Sequence, residues 1–179
     1  MYGMVNKAIQ DLVTSKFGED KWIAIKNKVG FEDDFFISMQ SYPDQLTYDL
    51  VGAASETLKL KPGDVLEAFG EYWILYTAEE GYGEMLALSG STLKDFLGNL
   101  NMLHERITHI MPNLQPPKFS VEEISENEVN LTYESDREGL APMVVGLLRG
   151  LGIRFGDKCE IKHITLRADA GKDVFNINW

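Results

Sequence analysis

A single cysteine, Cys159, is all the thiol chemistry this chain possesses. That excludes an intramolecular disulfide and any zinc or iron–sulfur site built from several cysteines. Long apolar runs are missing too: no uninterrupted stretch approaches the ~20 residues needed to cross a bilayer as a helix. The opening "MYGMVNKAIQDLV" lacks the charged front and small-residue cleavage site of an export signal. Cationic clustering is absent. Seventeen Lys and Arg residues are scattered among 28 Asp and Glu, and a net charge of −11 repels a phosphate backbone. No internal repeat is visible. The expectation is a cytoplasmic globular protein of 179 residues with no nucleic-acid or membrane partner. It is long enough to bury a real core in one domain or two tightly joined halves.

What is present begins with helical periodicity. "VNKAIQDLVTSKFG" spaces Val5, Ile9, Leu12, Val13 and Phe17 for one helix face and stops at Gly18; "DKWIAIKNKVG" predicts a second helix ended by Gly30. "DQLTYDLVGAASETLKL" follows. Pro62 then opens "PGDVLEAFGEYWILYTAEEG", a position at which a helix tolerates proline. "SGSTLKDFLGNLNMLHERITHIM" reads as one further helix, with Thr92 and Asp95 in capping-box form. Leu93, Phe96, Leu97, Leu100, Leu103, His104 and Ile107 make its apolar stripe. His109 is turned about 140° from His104 and faces solvent.

After "MPNLQPPKF" the period changes. Phe119 to Ile124 and Asn127 to Glu134 predict a hairpin, Leu140 to Phe155 a glycine-containing apolar helix, and Lys158 to Arg167 with Asp173 to Trp179 a second strand pair. The fold class is therefore α+β, a helical N-terminal part packed on a C-terminal part with a four-stranded antiparallel sheet. Cys159, in the alternating run "KCEIKHITL", reads as a buried or half-buried structural thiol.

Two features ask for a common explanation. His104 lies on an apolar helix face, where a core histidine satisfied by its neighbours is one account. Tyr133, Ser135 and Arg137 alternate along "LTYESDREGLAP", so that two hydroxyls and a guanidinium converge on one side. A solvated sheet face would give that pattern as well. Taken together, they suit a large apolar cofactor that needs one imidazole for its metal and donors for its peripheral carboxylates, the anatomy of haem.

The stretch "LTYESDREGLAP" resembles the propionate-binding signature of the H-NOX family, the haem nitric oxide/oxygen binding domains. "MYGMVNKAIQDLV" and "TYDLVGAASETL" are similar to the opening helices of its cyanobacterial members and of the haem domain of soluble guanylate cyclase. "FGEYW", "EEGYGEML", "FLGNLNMLHERI" and "PPKF" follow in the family's order, so the resemblance covers essentially the whole chain. It implies a single domain over 1–179, with a helical half of about 1–60 and a half of about 61–179 carrying the ligating helix and the sheet, haem b lying between them. His104 matches the proximal haem ligand. Tyr133, Ser135 and Arg137 match the propionate triad, Arg137 being suited to grip a carboxylate bidentately. Pro117 matches the proline that presses on the porphyrin, with Pro116 beside it as the alternative. Phe96, Leu100 and Leu103 line the proximal side and serve equally as helical core.

On the distal side, family members that hold oxygen place a tyrosine in the helix after the signature, whereas here Met143 takes that place beside Pro142. Neither can donate a hydrogen bond. Val5 completes an apolar pocket. Trp73 matches a distal aromatic position, and its indole N–H is a donor, but space-filling is the reading preferred for it. Tyr2 and Tyr82 align with family tyrosines read as packing. The resemblance thus implies a sensor that is not itself an enzyme. It binds nitric oxide and carbon monoxide at ferrous haem, excludes oxygen, and signals through release of His104 and rearrangement of the halves. Its effector would be a separate histidine kinase or cyclic-nucleotide enzyme, since no catalytic apparatus follows "VFNINW". Haem storage or transfer is the alternative. Peroxide-type haem enzymology ranks lower, because His109 and His163 sit on a solvent face and in a strand. A haem-free interaction module is the plainest reading.

Overall fold

A computed structural model describes residues 1–179. Helices α1 (Gly3–Phe17), α2 (Glu19–Val29), α3 (Asp44–Leu58) and α4 (Pro62–Tyr72) come first, followed by a π-helical segment (Trp73–Thr77), α5 (Ala78–Ala87), α6 (Leu93–Gly98) and α7 (Leu100–Ile110). The chain then forms β1 (Lys118–Ser125), β2 (Glu128–Glu134), α8 (Ala141–Phe155), β3 (Glu160–Thr165), a short α9 (Arg167–Ala170) and β4 (Asp173–Asn178). Local signals set these bounds. Gly30 adopts a left-handed conformation (φ 70°) and returns its amide to the Lys26 and Asn27 carbonyls, which closes α2. Thr92 Oγ1 accepts the Asp95 amide at 3.1 Å and caps α6.

The sheet is antiparallel throughout, in the order β1-β2-β4-β3. Its central pair sets Leu131 opposite Phe175 and Tyr133 opposite Asp173. Val129, Leu131 and Tyr133 alternate inward on β2, as Asp173, Phe175 and Ile177 do on β4, so one face is buried. The architecture is the α+β arrangement that the periodicities predict.

Two buried clusters organise the interior. One joins α1 to α4 through Ile9, Leu12, Ile25, Leu50 and Phe69; the other joins α6, α7, α8 and the sheet through Phe96, Leu103, Leu131, Leu148 and Phe175. Trp73 packs against both. Helices α4 and α8 meet backbone to backbone: a Cβ built on Gly70 would lie 2.2 Å from the Met143 carbonyl oxygen, and one on Gly146 would lie 2.0 Å from that of Glu67. Only glycine permits that approach.

Four elements differ from the sequence reading. The helix opened by Pro62 is not one helix: the π segment interrupts it, and Tyr82 inside α5 has non-helical angles (φ −142°, ψ 21°). A π turn adds a residue to each hydrogen-bonded ring and redirects the side chains within it, here Trp73 and Ile74. The His104 helix is also broken. Gly98 is a poor helix former, and Asn99 Nδ2 bonds back to the Ser89 carbonyl at 3.0 Å, so α6 and α7 are separate. Strand β3 stops at Thr165, short of the expected end at Arg167, and Arg167 instead begins a helical turn in the connection to β4. Finally, β2 stops at Glu134, its expected end, and what differs is the connection after it: Ser135 and Arg137 lie in a loop, and strand alternation is not what brings them together.

Candidate functional site

Both clusters contribute walls to a cavity of about 450 Å³, inside the roughly 300–1,000 Å³ span of cofactor and ligand pockets. Val5, Trp73, Phe96, Leu100, Leu103, His104, Pro117, Tyr133, Ser135, Arg137 and Met143 all line it, as do Pro116, Tyr2 and Tyr82.

Helix α7 supplies one wall. Asn101 fixes it to the sheet: its Nδ2 donates to the Phe119 carbonyl at 2.7 Å, and the Phe119 amide donates to its Oδ1 at 2.9 Å. A side-chain amide here does what a neighbouring strand would do. His104, one turn on, lies with its ring 5.8 Å from that of Phe119. Its Nδ1 is buried and has no hydrogen-bond partner. A buried polar atom left unsatisfied costs about 1–3 kcal/mol, so the ring lacks a partner that the chain does not supply. Burial holds its pKa below the ordinary imidazole value, opposed by the Pro117 backbone. The neutral ring that results is the form that binds a metal. His109, by contrast, is exposed.

The polar groups gather elsewhere on the rim. Tyr133 is buried at the end of β2, and burial raises its pKa, with the Ser135 hydroxyl acting in the opposite direction. It therefore stays a protonated donor at neutral pH. Ser135 Oγ accepts the Arg137 amide at 3.1 Å and shapes the loop. The Arg137 guanidinium donates from Nε to Asp44 Oδ2 at 2.7 Å and from Nη1 to the Gln115 carbonyl at 2.8 Å, with Nη2 3.5 Å from Asp44 Oδ1. The guanidinium is thus engaged in binding a carboxylate already, an internal one. Asp44 also meets the Met1 amine at 2.5 Å. Burial pushes the Asp44 pKa up, but the hydrogen bonds from Met1 and Arg137 outweigh it and hold the carboxyl below its usual value.

Trp73, Val5 and Met143 supply apolar wall from the π segment, α1 and α8. Trp73 stands edge-on to Phe69, with centroids 6.1 Å apart. Of the hydroxyls on the wall, Thr47 donates to Asn6 Oδ1 at 2.6 Å, Tyr82 points at Met4 Sδ at 3.8 Å, and Tyr2 accepts the Asn113 amide at 3.2 Å.

Asp44, Asn101 and Tyr48 escaped sequence reasoning. Asp44 looks like an ordinary acidic helix start and Asn101 like an exposed helix residue, because their partners are 93 and 18 residues away. No group of three or more His, Cys, Asp or Glu comes together to hold a metal. The arrangement does fit a metal carried by a flat apolar macrocycle with carboxylates at its edge, for which one imidazole, apolar walls and a guanidinium suffice.

Comparison with known proteins accords with this chemistry. The haem-NO-binding family profile matches residues 2–163. Soluble guanylate cyclase gcy-34 of Caenorhabditis elegans is 35% identical over 152 residues, 83% of this chain and 22% of that protein. This chain therefore spans well under a third of the cyclase's length. Among solved structures, an H-NOX protein from S. oneidensis in the Fe(II)NO ligation state has a TM-score of 0.89 at 21% identity, covering 99% of this chain and 98% of that one. An oxygen-binding H-NOX domain related to soluble guanylate cyclases, in its oxygen complex, has a TM-score of 0.83 at 18% identity, covering 99% and 94%. At such identities the two structures speak to the fold alone.

Proposed function

The chain belongs to the haem-NO-binding family, the H-NOX domains, and from that premise we propose that it is a ferrous-haem sensor for nitric oxide that excludes oxygen. The observation that carries the reading is the half-buried His104, its Nδ1 buried without a partner, in an apolar cavity that also meets Tyr133, Ser135 and Arg137. Haem b, when bound, supplies a ferrous iron with one position open to a diatomic gas. His104 is the protein ligand to that iron. Tyr133, Ser135 and Arg137 hold the two carboxylates, Arg137 by a charge-assisted fork. Pro117 would pack against the bound group, and Phe96, Leu100 and Leu103, which line the same cavity as His104, would keep water from the imidazole.

Selectivity is assigned to Val5, Met143 and Trp73. A bound oxygen molecule carries partial negative charge and is stabilised by a hydrogen-bond donor, whereas nitric oxide needs none. Val5 and Met143 have no donor to offer. Thr47 and Tyr82 direct theirs elsewhere. Trp73, wedged against Phe69, fills space. The proposal extends to signalling: release of His104 on nitric oxide binding would free α7, which Asn101 clamps to the sheet, and would let the helical half (about 1–60) move against the rest of the 1–179 unit. The recipient is a separate effector in the cytoplasm, a histidine kinase or a cyclic-nucleotide enzyme; likeness to guanylate cyclases supports the latter class.

Absorption spectra of the reduced protein test this. Nitric oxide and carbon monoxide each give a distinct new spectrum, and air gives only slow oxidation. A stable new spectrum in air overturns the selectivity, and the absence of any Soret band after reconstitution overturns the reading as a whole.

A further inference from the structure

The loop that carries the carboxylate-binding residues has no regular structure of its own between β2 and α8. It is held instead by a few individual bonds. Within it, Ser135 Oγ takes the Arg137 amide. From outside, the Tyr48 hydroxyl donates to the Glu138 carbonyl at 3.0 Å. Arg167, at the start of α9, does more: one guanidinium nitrogen, Nη1, donates to the Ser135 carbonyl and also to the Arg137 carbonyl at 3.2 Å. The two carbonyls flank Asp136, so a single cation fixes the peptide groups on either side of it.

Arg167 is itself rooted in the sheet. Its amide donates to Asp173 Oδ1 at 3.0 Å, and the same oxygen meets His163 Nε2 at 2.8 Å. Asp173 is buried and faces Tyr133 in the central strand pair. The His163 ring stacks on Phe175 with centroids 4.6 Å apart. A continuous set of contacts therefore runs from the middle of the sheet through Asp173 and Arg167 to the backbone of Ser135 and Arg137. The remaining ionic contact of Arg167, to the exposed Glu138 at 4.0 Å, is a loose surface pair of the kind that contributes little.

We propose that Arg167 is a positioning residue: its guanidinium pins the Ser135–Arg137 backbone from outside the cavity, so that the Arg137 side chain is held ready for a haem carboxylate. This rests on the haem reading above. Arginine suits the task because the two hydrogens of Nη1 are fixed in the guanidinium plane, one for each carbonyl, whereas a lysine ammonium keeps the charge but has no such fixed plane.

The test uses the full chain with Arg167→Gln, Arg167→Lys, Arg137→Ala and the Arg167→Gln/Arg137→Ala double variant. The first readout is the rate of haem loss to excess haem-free myoglobin. The second is amide hydrogen exchange over residues 135–139 in the haem-free protein. Arg167→Gln is expected to speed haem loss about tenfold and to raise exchange in that loop, the loss of charge-assisted bonds being of that order. Lysine should behave like glutamine, and the effect should largely vanish in the Arg137→Ala background, because there is then nothing to position. Unchanged haem loss, full rescue by lysine, or equal effects with and without Arg137 would each overturn the proposal. If the parent chain takes up no haem, the haem reading fails. The exchange readout then still decides whether Arg167 pins the loop.

Discussion

Replacing Gly146 by alanine adds one methyl group where α8 crosses α4, and the structure says what it meets. The new Cβ would lie 2.0 Å from the Glu67 carbonyl oxygen, 2.8 Å from the Glu67 carbonyl carbon and 3.0 Å from its Cα. All three are backbone atoms, so no rotamer change relieves the clash. Since carbon contacts are optimal at about 3.5–4.0 Å, α4 must retreat by roughly 1.5 Å. Overpacking of this kind costs about 1–3 kcal/mol, set against a helix-propensity gain for alanine over glycine of up to about 1 kcal/mol. The net is a loss of up to about 2 kcal/mol. Gly52, inside α3, provides the control because a Cβ placed there meets nothing within 4 Å, and Gly52→Ala should stabilise by about 0.5–1 kcal/mol. Urea unfolding of both variants, at equal haem content, measures the contrast. Because Met143 rides on α8 and Trp73 follows α4 directly, Gly146→Ala should also alter carbon monoxide binding rates, while Gly52→Ala should not. Equal stabilisation by both alanines would refute the argument that glycine is needed for the close crossing.

Three further outcomes follow from the site. His104→Ala should yield protein that retains no haem unless imidazole is supplied, and normal retention in its absence would remove His104 from the role of ligand. Arg137→Ala should speed haem loss by about tenfold to a hundredfold, the range for a partly buried charge-assisted pair, as followed by transfer to an acceptor; an unchanged rate would leave the loop as mere surface. Asp44 gives a pH dependence with a definite sign. Its folded pKa lies below the ordinary 3.8, so the unfolded chain takes up the proton first as pH falls. Its contribution to stability is therefore complete above 3.8 and is lost as pH drops below that value toward the folded one. Asp44→Asn should flatten this acid limb in denaturation profiles, and an unaltered limb would show that the Met1–Asp44–Arg137 contacts contribute nothing in solution.

The parts of the molecule that were legible in the sequence are those whose cause is local. The caps at Thr92 and Gly30, the inward alternation of Val129, Leu131 and Tyr133, and the apolar stripe holding Phe96, Leu103 and His104 all depend on residues a few positions apart. What escaped depends on partners far along the chain. The break at Asn99 comes from a bond back to Ser89 that competes with helix continuation. The π segment turns Trp73 and Ile74 toward a cavity whose other walls come from α1, α7 and α8. The convergence of Ser135 with Arg137 looked like strand alternation, yet the strand stops at Glu134, and the loop owes its shape to Ser135 Oγ, Tyr48 and Arg167. All three residues line the cavity, but it is the loop and not alternation that brings Ser135 and Arg137 there.

The same fold accommodates an S. oneidensis protein in its Fe(II)NO state and an oxygen-binding domain in its oxygen complex, so the backbone path by itself does not choose between gases. In the proposed sensor that choice falls to side chains lining the cavity. In this chain two hydroxyls of the cavity wall are already engaged, Thr47 on Asn6 and Tyr82 on the Met4 sulfur. Redirecting either would leave a buried acceptor or a packed ring without its partner, and that penalty favours leaving them in place. Trp73 offers a donor in its indole N–H but stands edge-on to Phe69 on the π turn that carries it, and the Tyr2 hydroxyl, which accepts the Asn113 amide at 3.2 Å, is a second donor on the wall. The proposed discrimination against oxygen therefore rests on where donors are committed as much as on where they are missing, and the α4–α8 crossing at Gly70 and Gly146 sets the positions from which Trp73 and Met143 line the cavity.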